Sequence, residues 1–305
     1  ITGTSTQSAV STAGMNCFQN SLLTTSIKSG IYDSIQNMID AFLQAVKDHP
    51  DVEALVISGS RTGLVSDALS DWDIYIYSES PLDLGFRTSL KERFAKEGEV
   101  GNDYFGEGDE LLLLDGTSVD LMYRSLHWAQ GEVKRVWEEH RASVGYSTAF
   151  IHNIKTSSIL YDRSSRLKAM QEQLRSPFPD ALVTSIIKKN YPLLRSKLTA
   201  SFLAQIEYSI TRGDKVSCIH RTAALLASYF DVLFAMNKQT HPGEKQLVSW
   251  ALKTCSVLPK QFEEDIETVY ANMASPTLLS ALNKLLDHLD DLLICEKESL
   301  GIGIE

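Results

Sequence analysis

Short hydrophobic runs are concentrated before about residue 125 of this chain, among helical patterns, and beyond it long helical spacing takes over. Leu55–Ile57 and Ile74–Tyr77 are brief runs rich in β-branched and aromatic side chains, the pattern of buried strands. Residues 24–48 instead put Ile27, Ile31, Ile35, Met38, Phe42 and Val46 on one helical face. His49-Pro50-Asp51 ends that helix, because a residue before proline is pushed out of the α conformation. Residues 81–96 read as an amphipathic connecting helix. Residues 98–109 read as a glycine- and acid-rich loop holding one short strand, with Glu107, Asp109 and Glu110 solvated. Leu111–Leu114, Asp115-Gly116 and Thr117–Tyr123 spell a hairpin, since Asp-Gly suits the positive φ angles of a tight turn. That puts Asp115 in the turn and Asp120 on a strand; a slip in register would exchange their roles.

Beyond residue 126, Trp128, Val133, Val136 and Trp137 predict a helix. Ile159–Asp162 predicts a short extended piece, with Asp162 either capping the turn that follows or lying near the site. Ser176-Pro177-Phe178-Pro179 is a domain boundary. Helical patterns then cover 181–211 (broken near Tyr191 by Pro192), 217–237, 244–254, 261–273 and 278–296. The expected fold class is α+β: an N-terminal mixed β-sheet domain with flanking helices over 15–175, followed by a C-terminal α-helical bundle domain over 176–305. Residues 1–14 lack the basic start and apolar stretch of a signal peptide and read as a disordered leader or tag.

Composition narrows the functional classes. A 305-residue chain that is 43% hydrophobic can bury a large core, and no apolar run approaches the roughly 20 residues that span a bilayer. Net charge is −10, which disfavours a long nucleic-acid partner and suits a cationic small molecule or a protein. Cys17, Cys218, Cys255 and Cys295 have no zinc or CxxC spacing, so they read as reduced thiols of a cytoplasmic protein. The seven histidines offer no metal-binding pair, and His127 and His220 read as packing residues. Arg212-Gly213-Asp214 reads as a helix terminus and not as an adhesion motif.

The candidate chemistry sits in residues 55–77. Asp71 and Asp73 open the second apolar run, and in extended backbone they face one side together, about 6–7 Å apart. Two carboxylates so placed repel unless a cation lies between them, and Mg²⁺ takes such oxygen ligands along with substrate phosphates. Gly59-Ser60, at the end of the first run, offers close backbone approach, N–H groups and a hydroxyl for phosphate oxygens. Arg61 either pairs with a phosphate or forms a surface ion pair, and Ser70 orients the loop before Asp71.

Gly59, Ser60, Asp71, Asp73 and the later strand aspartate Asp120 together resemble the signature of the DNA polymerase beta-like nucleotidyltransferase superfamily. The string Gly59-Ser60-Arg61 through Ser70-Asp71-Trp72-Asp73 is most similar to its antibiotic-modifying (kanamycin/lincosamide-type) and small stand-alone bacterial members, and it covers about the first 125 residues. A less specific resemblance to the helical half of those enzymes lies in Arg212-Gly213-Asp214, Asn237, Pro242-Gly243-Glu244-Lys245 and Trp250.

The resemblance implies transfer of an NMP group from an NTP, ATP by preference, to a hydroxyl of an antibiotic-like molecule or metabolite, with release of pyrophosphate. Asp71, Asp73 and Asp120 would be catalytic and would hold two Mg²⁺ ions, or Mn²⁺. Gly59, Ser60, Arg61, Ser70 and Lys245 would bind the nucleotide. Arg212 and Asn237 would hold the loop or line the cleft, with Lys188 and Lys189 as rivals to Lys245. The alternatives are nucleotidylation of a partner protein, as in toxin–antitoxin systems, and nucleotide binding without turnover.

Overall fold

The structure, a computed structural model, describes residues 38–59, 71–104, 106–197, 200–273 and 275–300. Ser60, Arg61 and Ser70 lie outside them, as do residues 24–37 of the expected first helix. The fold is α+β. Six strands, β1 (Val52–Ser58), β2 (Trp72–Ser78), β3 (Ala95–Asn102), β4 (Gly108–Leu113), β5 (Ser118–Ser125) and β6 (Ser158–Asp162), form one mixed sheet in the order β3-β4-β5-β2-β1-β6. The chain divides into two compact units, residues 1–55 with 68–124 and residues 56–67 with 125–305.

In the first unit, α1 (residues 38–47) buries Ile39, Phe42 and Val46 at helical spacing. Phe42 meets Phe94 of α2 (Leu84–Phe94) edge to face, with ring centroids 5.7 Å apart. β4 and β5 form the expected antiparallel hairpin. Its turn is fixed by Asp115 Oδ1, which accepts from the Thr117 N–H at 2.9 Å, and by Gly116 at φ 92°. Alternation along β5 buries Val119, Leu121 and Tyr123 and leaves Asp120, Met122 and Arg124 half-buried.

The stretch expected to be a loop with one short strand holds the second half of β3 and the start of β4. Ala95–Asn102 is β3, an antiparallel edge partner of β4 whose Lys96, Glu97 and Glu99 are exposed. Charge of this kind on an edge discourages pairing with foreign strands. Gly98 is required there, because a Cβ would lie 2.3 Å from the Glu110 carbonyl oxygen. Asp109, expected to be solvated, is buried: it pairs with Leu121 in the ladder and shares that residue's inward face. The fully buried Arg87 of α2 neutralises it through Nη2 at 2.5 Å and through Nε. Tyr123 Oη and the Gly101 N–H also donate to Asp109, at 2.6 and 2.8 Å, and Glu107 takes the other arm of Arg87 at 2.5 Å. Glu110 is exposed, as expected.

Among its described residues, the regular structure of the second unit is helical apart from β6 and the ends of β1 and β5. α3 (Leu126–Val133) runs into a wider π turn over Lys134–Glu138. Then follow α4 (Ala149–Thr156), α5 (Arg166–Leu174), α6 (Asp180–Leu194), α7 (Phe202–Thr211), α8 (Lys215–Met236), α9 (Leu247–Thr254), α10 (Phe262–Ala271) and α11 (Leu278–Leu300). The helical stretch over 181–211, expected to kink or break near Tyr191, is two helices, and the break falls after Leu194. Pro192 sits in the last turn of α6, which ends in extended backbone at Arg195. Asp214 caps α8 by accepting from the Ser217 N–H at 3.0 Å, the helix-terminus role read from the sequence. Asp162, just ahead of α5, accepts from the Lys168 N–H in its first turn at 2.8 Å. Among the described residues, no helix is long and apolar enough to cross a membrane.

Candidate active site

The first half of the predicted site is the end of β1. Val52, Ala54, Leu55, Val56 and Ser58 are all buried, as befits an interior strand. The chain then leaves the sheet at Gly59 with φ 73°, a conformation that costs other residues energy and glycine nothing. Ser58 is held from the side: its Oγ accepts from Asn153 Nδ2 of α4 at 2.5 Å.

The second half lies on β2 and β5, hydrogen-bonded neighbours in the sheet. Asp71 is exposed just ahead of β2, and Asp73 is half-buried in its second position. Alternation puts Asp73 on the side of Tyr75 and Tyr77, whose rings stack at 6.5 Å, and opposite Ile74 and Ile76. Burial and the neighbouring Tyr75 push the Tyr77 phenol up, while Arg124 of β5 acts in the other direction. Arg124 shares its face of β5 with Asp120.

Asp120 stands directly across from Glu110 on β4, which stands across from Glu99 on β3. Three carboxylates are thus abreast on one face of three strands, an arrangement that like-charge repulsion disfavours without a counter-charge. Sequence reading missed Glu99 and Glu110, because their alignment depends on the register of β3, which its composition does not announce. Among the described residues, no group of three or more His, Cys, Asp or Glu side chains is arranged to hold a metal ion by itself.

In the helical unit, Lys245 is exposed in the turn before α9, and Arg212 is the exposed C-cap of α7. Asn237, the C-cap of α8, holds a loop: its Nδ2 donates to the Leu233 and Val257 carbonyls, both at 2.9 Å, and its Oδ1 accepts from the Val257 N–H at 2.9 Å. Lys188 and Lys189 are exposed on α6. The segment leading to Lys245 is anchored on α4 and the residue before it. His152 Nδ1 meets Thr240 Oγ1 at 2.8 Å, and the His241 N–H donates to Thr148 Oγ1 at 2.8 Å. Burial holds the His152 imidazole down to about 4 and that of His241 to about 3, so both rings are neutral near pH 7.

No family model matches the chain, and no curated protein sequence matches it. Among solved structures it is similar to a nucleotidyltransferase-like protein from Exiguobacterium sibiricum 255-15, at 15% identity and a TM-score of 0.40, over 87% of this chain and 76% of that one. A likeness that low says nothing about what this chain does.

Proposed function

We propose that the protein is a metal-dependent nucleotidyltransferase that moves an NMP group from an NTP to a hydroxyl of a small molecule and releases pyrophosphate. The observation that carries this reading is the placement of Asp73 and Asp120 at half-buried positions of adjacent strands β2 and β5, with Asp71 at the mouth of β2. Asp115, the competing aspartate, is committed to a turn.

Mg²⁺ is held by carboxylates together with substrate phosphates and water and not by an all-protein cage, and carboxylate oxygens are the donors that Asp71, Asp73 and Asp120 supply. Asp71, Asp73 and Asp120 would hold two such ions, with Mn²⁺ as a substitute. Bound there, the ions would neutralise triphosphate charge and acidify the acceptor hydroxyl.

The protein's own groups do the rest. The acceptor oxygen attacks the α-phosphorus, the α-phosphorus–oxygen bond to the β-phosphate breaks, and pyrophosphate departs. Asp120 takes the proton of the attacking hydroxyl. Gly59 and Ser60 orient the terminal phosphates with backbone N–H groups and a hydroxyl, Arg61 and Lys245 contribute positive charge, and Ser70 steadies the loop before Asp71. A net charge of −10 favours a cationic acceptor over a polynucleotide.

The test is isothermal titration with each of the four NTPs in Mg²⁺, run beside a pyrophosphate-release assay over antibiotic, metabolite and protein acceptors. Binding with release dependent on a small molecule supports the reading. Release dependent on a protein moves the acceptor to that class, and binding without release makes the chain a nucleotide-binding protein. Absence of NTP binding overturns the proposal.

A further inference from the structure

Two segments assigned above to the phosphates, Gly59 and the turn carrying Lys245, are far apart in sequence and are both tied to the two-turn helix α4. Asn153 donates to Ser58 Oγ at 2.5 Å, one residue before Gly59. Its neighbour His152 engages Thr240 Oγ1 at 2.8 Å, and Trp250 of α9 stands edge-on to the His152 ring at 5.2 Å. Lys245 lies between these two contacts. The intervening chain is pinned again at His241, which is fully buried: its backbone N–H bonds Thr148 Oγ1, its Nδ1 accepts from the Gly243 N–H at 3.2 Å, and its ring packs edgewise on Tyr146 and Phe234.

The anchoring is not what stability alone would select. Among the described residues, Asn153 Oδ1 and His241 Nε2 are both buried and without a hydrogen-bond partner. Such groups raise the energy of the folded state, and each needs a reason for its presence. An apolar residue at 153 would avoid the orphaned oxygen but would release Ser58.

We infer that His152 and Asn153 are positioning residues, a brace that fixes the end of β1 at Gly59 relative to the turn at Lys245 so that both address one triphosphate. The inference rests on the nucleotide reading above. It adds two residues that no motif announced and assigns them no contact with the reacting atoms. The brace acts through hydrogen bonds at both ends, so losing either bond lets one phosphate-facing segment drift from the other.

The test uses the full chain with ATP and Mg²⁺ as the probe in isothermal titration, with far-UV circular dichroism to confirm folding. Asn153→Ala and His152→Ala should each weaken binding about tenfold. The effect of His152→Ala should shrink when Lys245→Ala is already present, because the brace works through that lysine. Ser58→Ala should reproduce Asn153→Ala, and it serves in its place if that variant does not fold. In the nucleotide-free protein, amide hydrogen exchange should rise around Gly59 in Asn153→Ala and over 240–246 in His152→Ala. Folded variants that bind ATP as the parent does, or a His152→Ala effect that simply adds to Lys245→Ala, would overturn the brace and leave the functional reading intact. A parent that binds no NTP would overturn both.

Discussion

Arg87 and Asp109 form an ion pair in which each side chain is only 1% exposed. Two charges taken out of water are costly, and the pair persists because Tyr123, Gly101 and Gly108 satisfy its remaining donors and acceptors. Removing one partner strands the other. Asp109→Ala should therefore lower unfolding free energy by about 3–5 kcal/mol, read from urea unfolding. Glu107→Gln, whose parent side chain is 46% exposed, should cost no more than about 1 kcal/mol.

The same pair marks where sequence reading stops. Asp109 lies among glycines and acids, a context that reads as solvated loop; its burial is set by a guanidinium on a helix 22 residues earlier. The bounds of β3 were illegible for a related reason: AKEGEVGN has no apolar alternation, and only the ladder to β4 sets its extent. What was legible depended on local rules. Asp-Gly fixed the hairpin register and so separated Asp115 from Asp120, and helical spacing located α8 and α11 to within a few residues. The Asn153 contact with Ser58 spans 95 residues and left no trace in either segment.

The proposed roles of the aspartates predict a sharp contrast among conservative variants. Asp73→Asn and Asp120→Asn, compared as variants that remain folded by circular dichroism, should each lower pyrophosphate release by about 10²–10⁴-fold. Asp115→Ala should keep full activity while costing about 1 kcal/mol for its lost turn bond to Thr117. Full activity in Asp73→Asn would withdraw the metal assignment.

Asp231, buried in the middle of α8, makes stability depend on pH in an unusual sense. Its carboxyl accepts from the Ser147 N–H at 3.0 Å, Ser147 Oγ at 2.6 Å and Asn190 Nδ2 at 3.0 Å. Those bonds pull its pKa down, but burial outweighs them and pushes it up from 3.8 to about 7. A carboxyl raised on folding contributes stability that is fully present below 3.8 and is lost as pH rises through about 7. Relative to Asp231→Asn, the parent should lose about 1.4 kcal/mol per pH unit across that window, measured by urea unfolding at a series of pH values.

His152 and His241 oppose that trend in the same unit. Their pKa values fall from 6.5 to about 4 and about 3, in both cases mainly through burial. Stability that depends on keeping them neutral is complete above 6.5 and is lost as pH falls toward those values. Between about pH 4 and 6.5 the unfolded chain therefore takes up two protons at the histidines that the folded chain refuses, and gives up one at Asp231 that the folded chain keeps. The net is one proton, or about 1.4 kcal/mol of stability gained per pH unit of rise from these three groups. Asp231→Asn should double that slope, whereas His152→Gln should cancel it. The other carboxylates titrate alike in all three proteins, so comparing unfolding curves of parent and variants at matched pH isolates the effect. A His152→Gln protein with the parent's slope would mean that this ring is protonated in the fold, and its bond to Thr240 would then have to be read with the histidine as donor.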